Sequence, residues 1–234
     1  MIKHACVMLL VVGCGGGSDH GTVALADLGT ELGTSYCMKE FSCCTDAEIM
    51  MDFGAFKVGG QPVTTEPLCE MFYTGLFGAL VSGQYMASIA DGRATYDGDA
   101  AAACLDLVDS MSCSDFGAQA MIANDSGCKQ FIIPQVVDGA ACAQSYECTS
   151  NNCVGATTQP VQDGTCMPVP TSGQMCDFTC ADGTFCDFTT GTCQPAKANG
   201  ASCTSNDACA SAFCNGAGSG SGTCADKLAR CDGR

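Results

Sequence analysis

Leu25, Leu28, Leu32 and Tyr36 fall at intervals of three and four, and Cys37, Phe41 and Cys44 extend the stripe, so one side of a helix is apolar here. Thr45-Asp46-Ala47-Glu48 has the form of a capping box, with Ile49 and Phe53 placed for a short second helix. A third start falls near Thr64, where Pro67 suits a first helical turn. Leu68, Phe72, Leu76, Leu80 and Gly83 then share an apolar face and predict the longest helix of the chain. Arg93 to Gly98 reads as a connection. Asp97 or Asp99 caps the next helix, whose stripe is Ala100, Cys104, Leu107, Val108 and Met111, with Cys104 pointing inward. Cysteines on the apolar faces of separate helices are what a disulfide-crosslinked bundle requires, because the sulfurs must come within bonding distance in the core.

The pattern changes near Gly139. After Ile133 there is no leucine or isoleucine until Leu228. A segment with so few large aliphatics does not offset its ordering entropy by burial, so crosslinks must set its fold. Residues 21–134 therefore read as a helical domain, and the C-terminal half of the chain repeats itself. Asp138-Gly139 introduces Cys142, Cys148, Cys153 and Cys166, within 138–166. Ser172-Gly173 introduces Cys176, Cys180, Cys186 and Cys193, within 172–193. Asn199-Gly200 introduces Cys203, Cys209, Cys214 and Cys224, within 199–224. Each unit closes on Gly-Thr-Cys. Met167-Pro168-Val169-Pro170 and Gln194-Pro195-Ala196 are short extended spacers. Four cysteines allow three pairings and sequence does not choose among them. The pattern expected is first with third and second with fourth, giving short loops that resemble small growth-factor-like modules.

At the N-terminus, Lys3 precedes the apolar run Cys6 to Val12, and Val11-Val12-Gly13-Cys14 matches the lipobox of bacterial lipoproteins. The expectation is a signal peptide over 1–13, acylation of Cys14, and a flexible tether over 14–20 that includes Gly15-Gly16-Gly17-Ser18. The apolar run is far shorter than the about 20 residues a spanning helix needs. An ordinary secretory signal with a fortuitous cysteine is the alternative. Either way the mature chain is expected in an oxidising compartment, where cysteines are first of all covalent staples.

The chain has 22 cysteines. With Cys6 lost in the signal and Cys14 acylated, the repeats take twelve, and the helical region holds Cys37, Cys43, Cys44, Cys69, Cys104, Cys113 and Cys128. Seven is odd, so Cys231, in the 225–234 tail, is expected to bridge back to the helical region. Adjacent Cys43 and Cys44 should take different partners. The fold class expected is a small, mostly α, disulfide-crosslinked domain followed by irregular disulfide-rich modules with little regular secondary structure.

The formal charge is −16, from 9 basic and 25 acidic side chains, which argues against nucleic-acid partners. Of two histidines, His4 lies in the signal and His20 in the tether, so a Ser-His-Asp or Cys-His site is not expected. Without histidine in the body or a Cys-x2-Cys pair, disulfides are the expected state of the sulfurs rather than zinc. Asp97-Gly98-Asp99 lacks the ligand alternation of a calcium loop. Asp106 and Asp109 share a helix face, where solvation explains them. Neither cofactor, metal nor catalytic residue is expected. One candidate contact patch remains: Cys176-Asp177-Phe178-Thr179 recurs as Cys186-Asp187-Phe188-Thr189, with Phe185 beside it. Either these rings cover the disulfides, the favoured reading, or Phe178, Phe185 and Phe188 form a partly exposed patch.

Tyr36-Cys37 followed by Cys43-Cys44, the stretch Gly92-Arg93-Ala94-Thr95-Tyr96-Asp97 leading to Ala103-Cys104-Leu105 and Cys113, and Asp138-Gly139-Ala140-Ala141-Cys142 to Glu147-Cys148 resemble the cysteine-rich lipoproteins of myxobacteria. The C-terminal repeats are similar to the Dickkopf N-terminal cysteine-rich module, with a tighter Cys176-to-Cys180 spacing in the middle copy. The resemblance implies a scaffold, brings no catalytic residues, and does not carry a receptor role. The function expected is that of an envelope lipoprotein, at the outer membrane or cell surface, held by the lipid bilayer through Cys14. It would bind a protein or polysaccharide partner without catalysis. A protease-resistant coat component and a hydrolase using carboxylates are the alternatives.

Overall fold

A computed structural model describes residues 20–118, 128, 130–158, 161–177, 179–216, 221–226 and 231. The helical region opens with α1 (Leu28–Cys43) and α2 (Asp46–Phe53). The Thr45–Glu48 capping box forms: the Glu48 amide donates to Thr45 Oγ1 and the Thr45 amide to Glu48 Oε2 at 2.8 Å. A small hairpin, β1 (Lys57–Val58) with β2 (Gln61–Pro62), leads to α3 (Glu66–Leu80), with Pro67 in its first turn. The helix continues through a π turn, Val81–Tyr85, into α4 (Met86–Ala90). After β3 (Ala94–Tyr96), Asp97 caps α5 (Gly98–Ser110) by accepting from the Asp99 and Ala100 amides at 3.1 and 2.9 Å. Then come α6 (Cys113–Ala118) and β4 (Ile132–Pro134), which pairs antiparallel with β3.

The main packing is α1 against α3, with α5 also against α1. Glycine decides how close α1 and α3 come: a Cβ on Gly29 would sit 2.8 Å from the Gly78 nitrogen, and one on Gly33 3.1 Å from the Thr74 nitrogen. That approach turns α3 in a way the apolar stripe did not predict. Cys69 and Val81 are buried and Tyr73 and Phe77 lie against their neighbours, whereas Leu76 is 46 % exposed and Gly83 is on the surface. Of the expected face Leu68, Phe72, Leu76, Leu80 and Gly83, the residues Leu68 and Phe72 pack against the cluster around Cys37 and Cys69 and Leu80 is half-buried, whereas Leu76 and Gly83 turn outward. A second correction concerns Arg93 to Gly98, expected as a connection: Ala94–Tyr96 is a strand, because its partner Ile132–Pro134 lies too far along the chain for local pattern to show it.

Two cores result. One joins Cys37, Cys43, Cys44, Ile49, Phe53, Val63, Cys69 and Phe116, with the Tyr36 and Tyr73 rings 4.8 Å apart at its edge. The other joins Val23, Leu28, Val81, Ala101, Ala102 and Leu105. Cystines Cys37–Cys69, Cys43–Cys113 and Cys104–Cys128 cross the region.

Each repeat bonds its first cysteine to its third and its second to its fourth: Cys142–Cys153 with Cys148–Cys166, Cys176–Cys186 with Cys180–Cys193, and Cys203–Cys214 with Cys209–Cys224. The opening glycine donates its amide to the carbonyl of the last cysteine at 2.7 to 2.8 Å in all three, Gly139 to Cys166, Gly173 to Cys193 and Gly200 to Cys224. Those glycines have φ of 88°, 83° and 90°, a backbone region that side chains disfavour, which is why the turn repeats with glycine. The modules are irregular, as expected, and their sheets are limited to short antiparallel strands. Repeat 1 contains β5 (Ala141–Cys142), β6 (Cys153–Val154), the β7 (Thr157–Thr158) and β8 (Val161–Gln162) hairpin, and β9 (Gly164–Cys166), with β9 central between β5 and β6. Repeat 2 is the ribbon β10 (Thr184–Asp187) with β11 (Thr192–Pro195). Repeat 3 mirrors repeat 1, with β14 (Gly222–Cys224) between β12 (Ser202–Cys203) and β13 (Cys214–Asn215). Cys231 is buried in the first helical core and bonded to Cys44, so the chain returns on itself over a separation of 187 residues.

Candidate functional site

The most elaborate polar arrangement lies where repeat 1 meets the helical region. After β4 the Val136 amide donates to Glu147 O at 2.9 Å and the Thr149 amide to Val136 O at 2.8 Å, which seats the 3-10 turn Ser145–Glu147 against the end of the β3–β4 ribbon. The turn carries the Glu147 side chain inward until it is 1 % exposed. Its Oε1 accepts from Ser88 Oγ at 2.5 Å, and its Oε2 accepts from the Ala143 and Gln144 amides at 2.6 and 3.3 Å. Arg93 NH1 stands 3.7 Å from Oε2, while its NH2 reaches Asp163 at 3.1 Å. Ser88 Oγ also bonds the Tyr146 hydroxyl at 2.9 Å, and the Tyr146 and Tyr85 rings meet edge-on at 5.0 Å. Burial raises both phenols above their ordinary pKa, and the bond to Asp163 raises the Arg93 guanidinium. A carboxylate whose two oxygens are taken up by serine, two amides and a guanidinium is a lock, because a general base needs a lone pair free for substrate. The cleft beside it, lined by Ala143, Gln144, Ser145, Cys153, Ala156 and Thr157, encloses about 200 Å³, below the about 300 Å³ at which ligand pockets begin.

Repeat 3 docks on repeat 2 in the same register. The Lys197 amide donates to Ala208 O and the Ala210 amide to Lys197 O at 2.8 and 2.9 Å, where Val136, Glu147 and Thr149 stand in repeat 1. Ala208 replaces Glu147, so this second joint has no carboxylate lock. Its apolar filling is Phe185, packed against the Cys203, Cys209, Cys214 and Cys224 core, with Lys197 Nζ 5.6 Å from the ring centroid.

The expected aromatic patch therefore divides. Phe185 covers cystines, Phe188 is 70 % exposed at the tip of the ribbon, and Phe178 lies outside the described residues. Met175, bridged to Thr192 at the same tip, is also exposed. Asp187 begins the turn, and the Thr189 amide 2.9 Å from its Oδ1 holds its carboxyl below the usual pKa.

His20, expected in the tether, instead packs on the helices. Its amide donates to Asp106 Oδ1 at 3.2 Å, its Nε2 lies 3.0 Å from Asp109 Oδ2, and its Nδ1 lies 3.6 Å from Glu31 Oε2. The Asp106 and Asp109 carboxylates are thus engaged by His20 rather than by solvent alone. The expected signal peptide, Cys14 and Gly15-Gly16-Gly17-Ser18 lie outside the described residues.

All twenty cysteines named as staples are bonded in ten pairs. Sulfur atoms come together in threes within each module, as Cys142, Cys148 and Cys166 do, but each is in an S–S bond and offers no thiolate to a metal. The Glu147 lock escaped sequence reasoning because Ser88 and Arg93 lie more than fifty residues before it; only the Gln144-to-Glu147 spacing, itself a capping box, hinted at it. Among the described residues no helix is long and apolar enough to cross a membrane. Compared with protein families, curated proteins and solved structures, the chain matches none.

Proposed function

We propose that the chain is an extracytoplasmic, envelope-anchored lipoprotein that works as a non-enzymatic binding or adhesion module. The observation that supports this most is the pairing of every cysteine from Cys37 to Cys231 into ten disulfides, a state that persists in oxidising compartments and not in a reducing cytosol. The Val11-Val12-Gly13-Cys14 signature supplies the anchor. The locked carboxylate and the small cleft favour recognition over turnover, and the exposed tip of repeat 2 at Phe188 and Met175 is the surface that would meet a protein or polysaccharide. The resemblance to myxobacterial cysteine-rich lipoproteins with Dickkopf-like repeats agrees with such a scaffold.

The test is extraction of the protein from membranes of its native host, followed by mass spectrometry of the N-terminal peptide and saturation binding of the intact protein to cell-surface extracts. A diacylated or triacylated Cys14 and a saturable partner lost in Phe188→Ser are expected. An unmodified Cys14 in a soluble fraction overturns the anchor. Hydrolytic activity lost on replacing one acidic residue overturns the non-enzymatic reading, and abundance in the envelope without saturable binding replaces it with the coat role.

A further inference from the structure

Part of the α3 stripe that sequence pattern assigned to the core, Leu76 and Gly83, is on the surface, and together with exposed residues of the following turn and α4 it makes an unusual surface for this chain. From Met71 to Ala90 there is no Asp, Glu, Lys, Arg or His in a protein of net charge −16. Along that run Met71, Leu76 and Met86 are 53 %, 46 % and 50 % exposed on the side away from α1. Phe56, itself 46 % exposed, continues the patch through its ring, 4.9 Å from that of Phe72. Exposed apolar continuity on this scale marks an interaction surface.

We infer that this face is where two copies of the chain associate, α3–α4 against α3–α4. Three observations choose a second copy as the occupant. First, like-charged copies repel, and the stretch free of ionisable carboxylates and cations is where they approach at least electrostatic cost. Second, the helix already shows how it takes a partner helix: on its inner side Thr74 and Gly78 receive Gly29 and Gly33 at backbone contact. Its outer side repeats the device with Gly75, Ala79 and Gly83, and the space a Cβ would take at Gly75 and Gly83 is open to 4 Å. A two-fold contact sets such a stripe against itself, which is what an isologous interface needs. Third, the area suits a weak contact. The charge-free run Met71–Ala90 is about 30 Å long and presents about 300 Å² at a width of about 10 Å. Even with Phe56 from each copy, two faces stay below the about 1,000 Å² at which stable interfaces begin, in the range of transient association. The association is accordingly weak in dilute solution and favoured where copies share one surface.

The test uses the full-length chain in phosphatidylcholine vesicles with a photo-crosslinking side chain, Ser82→benzoylphenylalanine, on the outer face. The expected product is a covalent dimer whose adducts map to residues 68–86 of the second copy. Val161→benzoylphenylalanine, on an exposed position of repeat 1, should give none. Leu76→Glu and Ala79→Glu, both surface changes, are expected to reduce dimer yield at least about tenfold, with the unreduced mass showing all disulfides still formed. Adducts confined to lipid, adducts within the same chain including residues 119–127, or an undiminished dimer in both variants overturn the proposal.

Discussion

Replacing Glu147 tests the junction between the helical region and repeat 1. Glu147→Ala leaves Ser88 Oγ, the Ala143 and Gln144 amides and the Arg93 guanidinium without their common acceptor in a site 1 % exposed. Hydrogen bonds to a charged group contribute about 1.5–3 kcal/mol each, and they do not add. Removing one partner of a buried ionic cluster costs about 3–5 kcal/mol. The loss should be local, because the cystines of repeat 1 still hold the module together. Hydrogen exchange at the Val136 and Thr149 amides reads it directly, since both close the joint. Their exchange is expected to accelerate by about two to four powers of ten. The Lys197 and Ala210 amides, at the equivalent joint with Ala208 in place of the glutamate, should not change. Glu147→Gln retains an acceptor for the Ala143 amide and a donor for Ser88, and should lose only about 1–2 kcal/mol. Unchanged exchange at Val136 and Thr149 in Glu147→Ala would refute the idea that this carboxylate holds the joint.

The other contacts carry consequences of their own. Replacing Cys44 and Cys231 together by serine opens the longest covalent loop, separation 187, and on the chain-entropy account costs about 5 kcal/mol, read as a lower denaturant midpoint; an unchanged midpoint contradicts it. Gly29→Ala puts a methyl 2.8 Å from the Gly78 nitrogen and should cost about 1–3 kcal/mol by parting α1 from α3, again measured by denaturant. The Tyr96 phenol, which donates to Val23 O at 3.0 Å, is pushed up to about 12, first by burial and then by the Asp97 and Asp27 carboxylates. Since the folded state favours its neutral form, stability is fully present below the ordinary phenol value of 10.0 and falls as pH rises from there towards about 12. Tyr96→Phe should flatten that slope in pH-dependent unfolding, and an unaltered slope would assign it elsewhere.

What was legible in the sequence was local or arithmetical. The Thr45–Glu48 box and the Asp97 cap are short-range hydrogen bonds, written within four residues of each helix start. The modules were readable because glycine, cysteine and Gly-Thr-Cys recur at fixed offsets, and each offset is a backbone bond from turn to closing strand. The return of Cys231 came from the odd number of sulfurs in the helical region. The orientation of α3 was hidden because only the first part of its most apolar stripe, Leu68 and Phe72, packs against the core. Gly29 and Gly33 on α1 select the side where Thr74 and Gly78 let the backbones meet, and Leu76 is left outside. Likewise β3, the Ser88–Glu147 bond and the seating of His20 on Asp106 and Asp109 join residues 36 to 89 positions apart, where no periodicity reaches.

The claim that oxidised sulfur organises this chain is tested most directly by peptide mapping of the native, unreduced protein after thiol blocking. The expected result is no blocked thiol between Cys37 and Cys231, with first-to-third and second-to-fourth bridges in each repeat and a Cys44–Cys231 peptide pair. A folded protein in which many of those cysteines are alkylated, or in which Cys231 pairs within the repeats, would contradict the account.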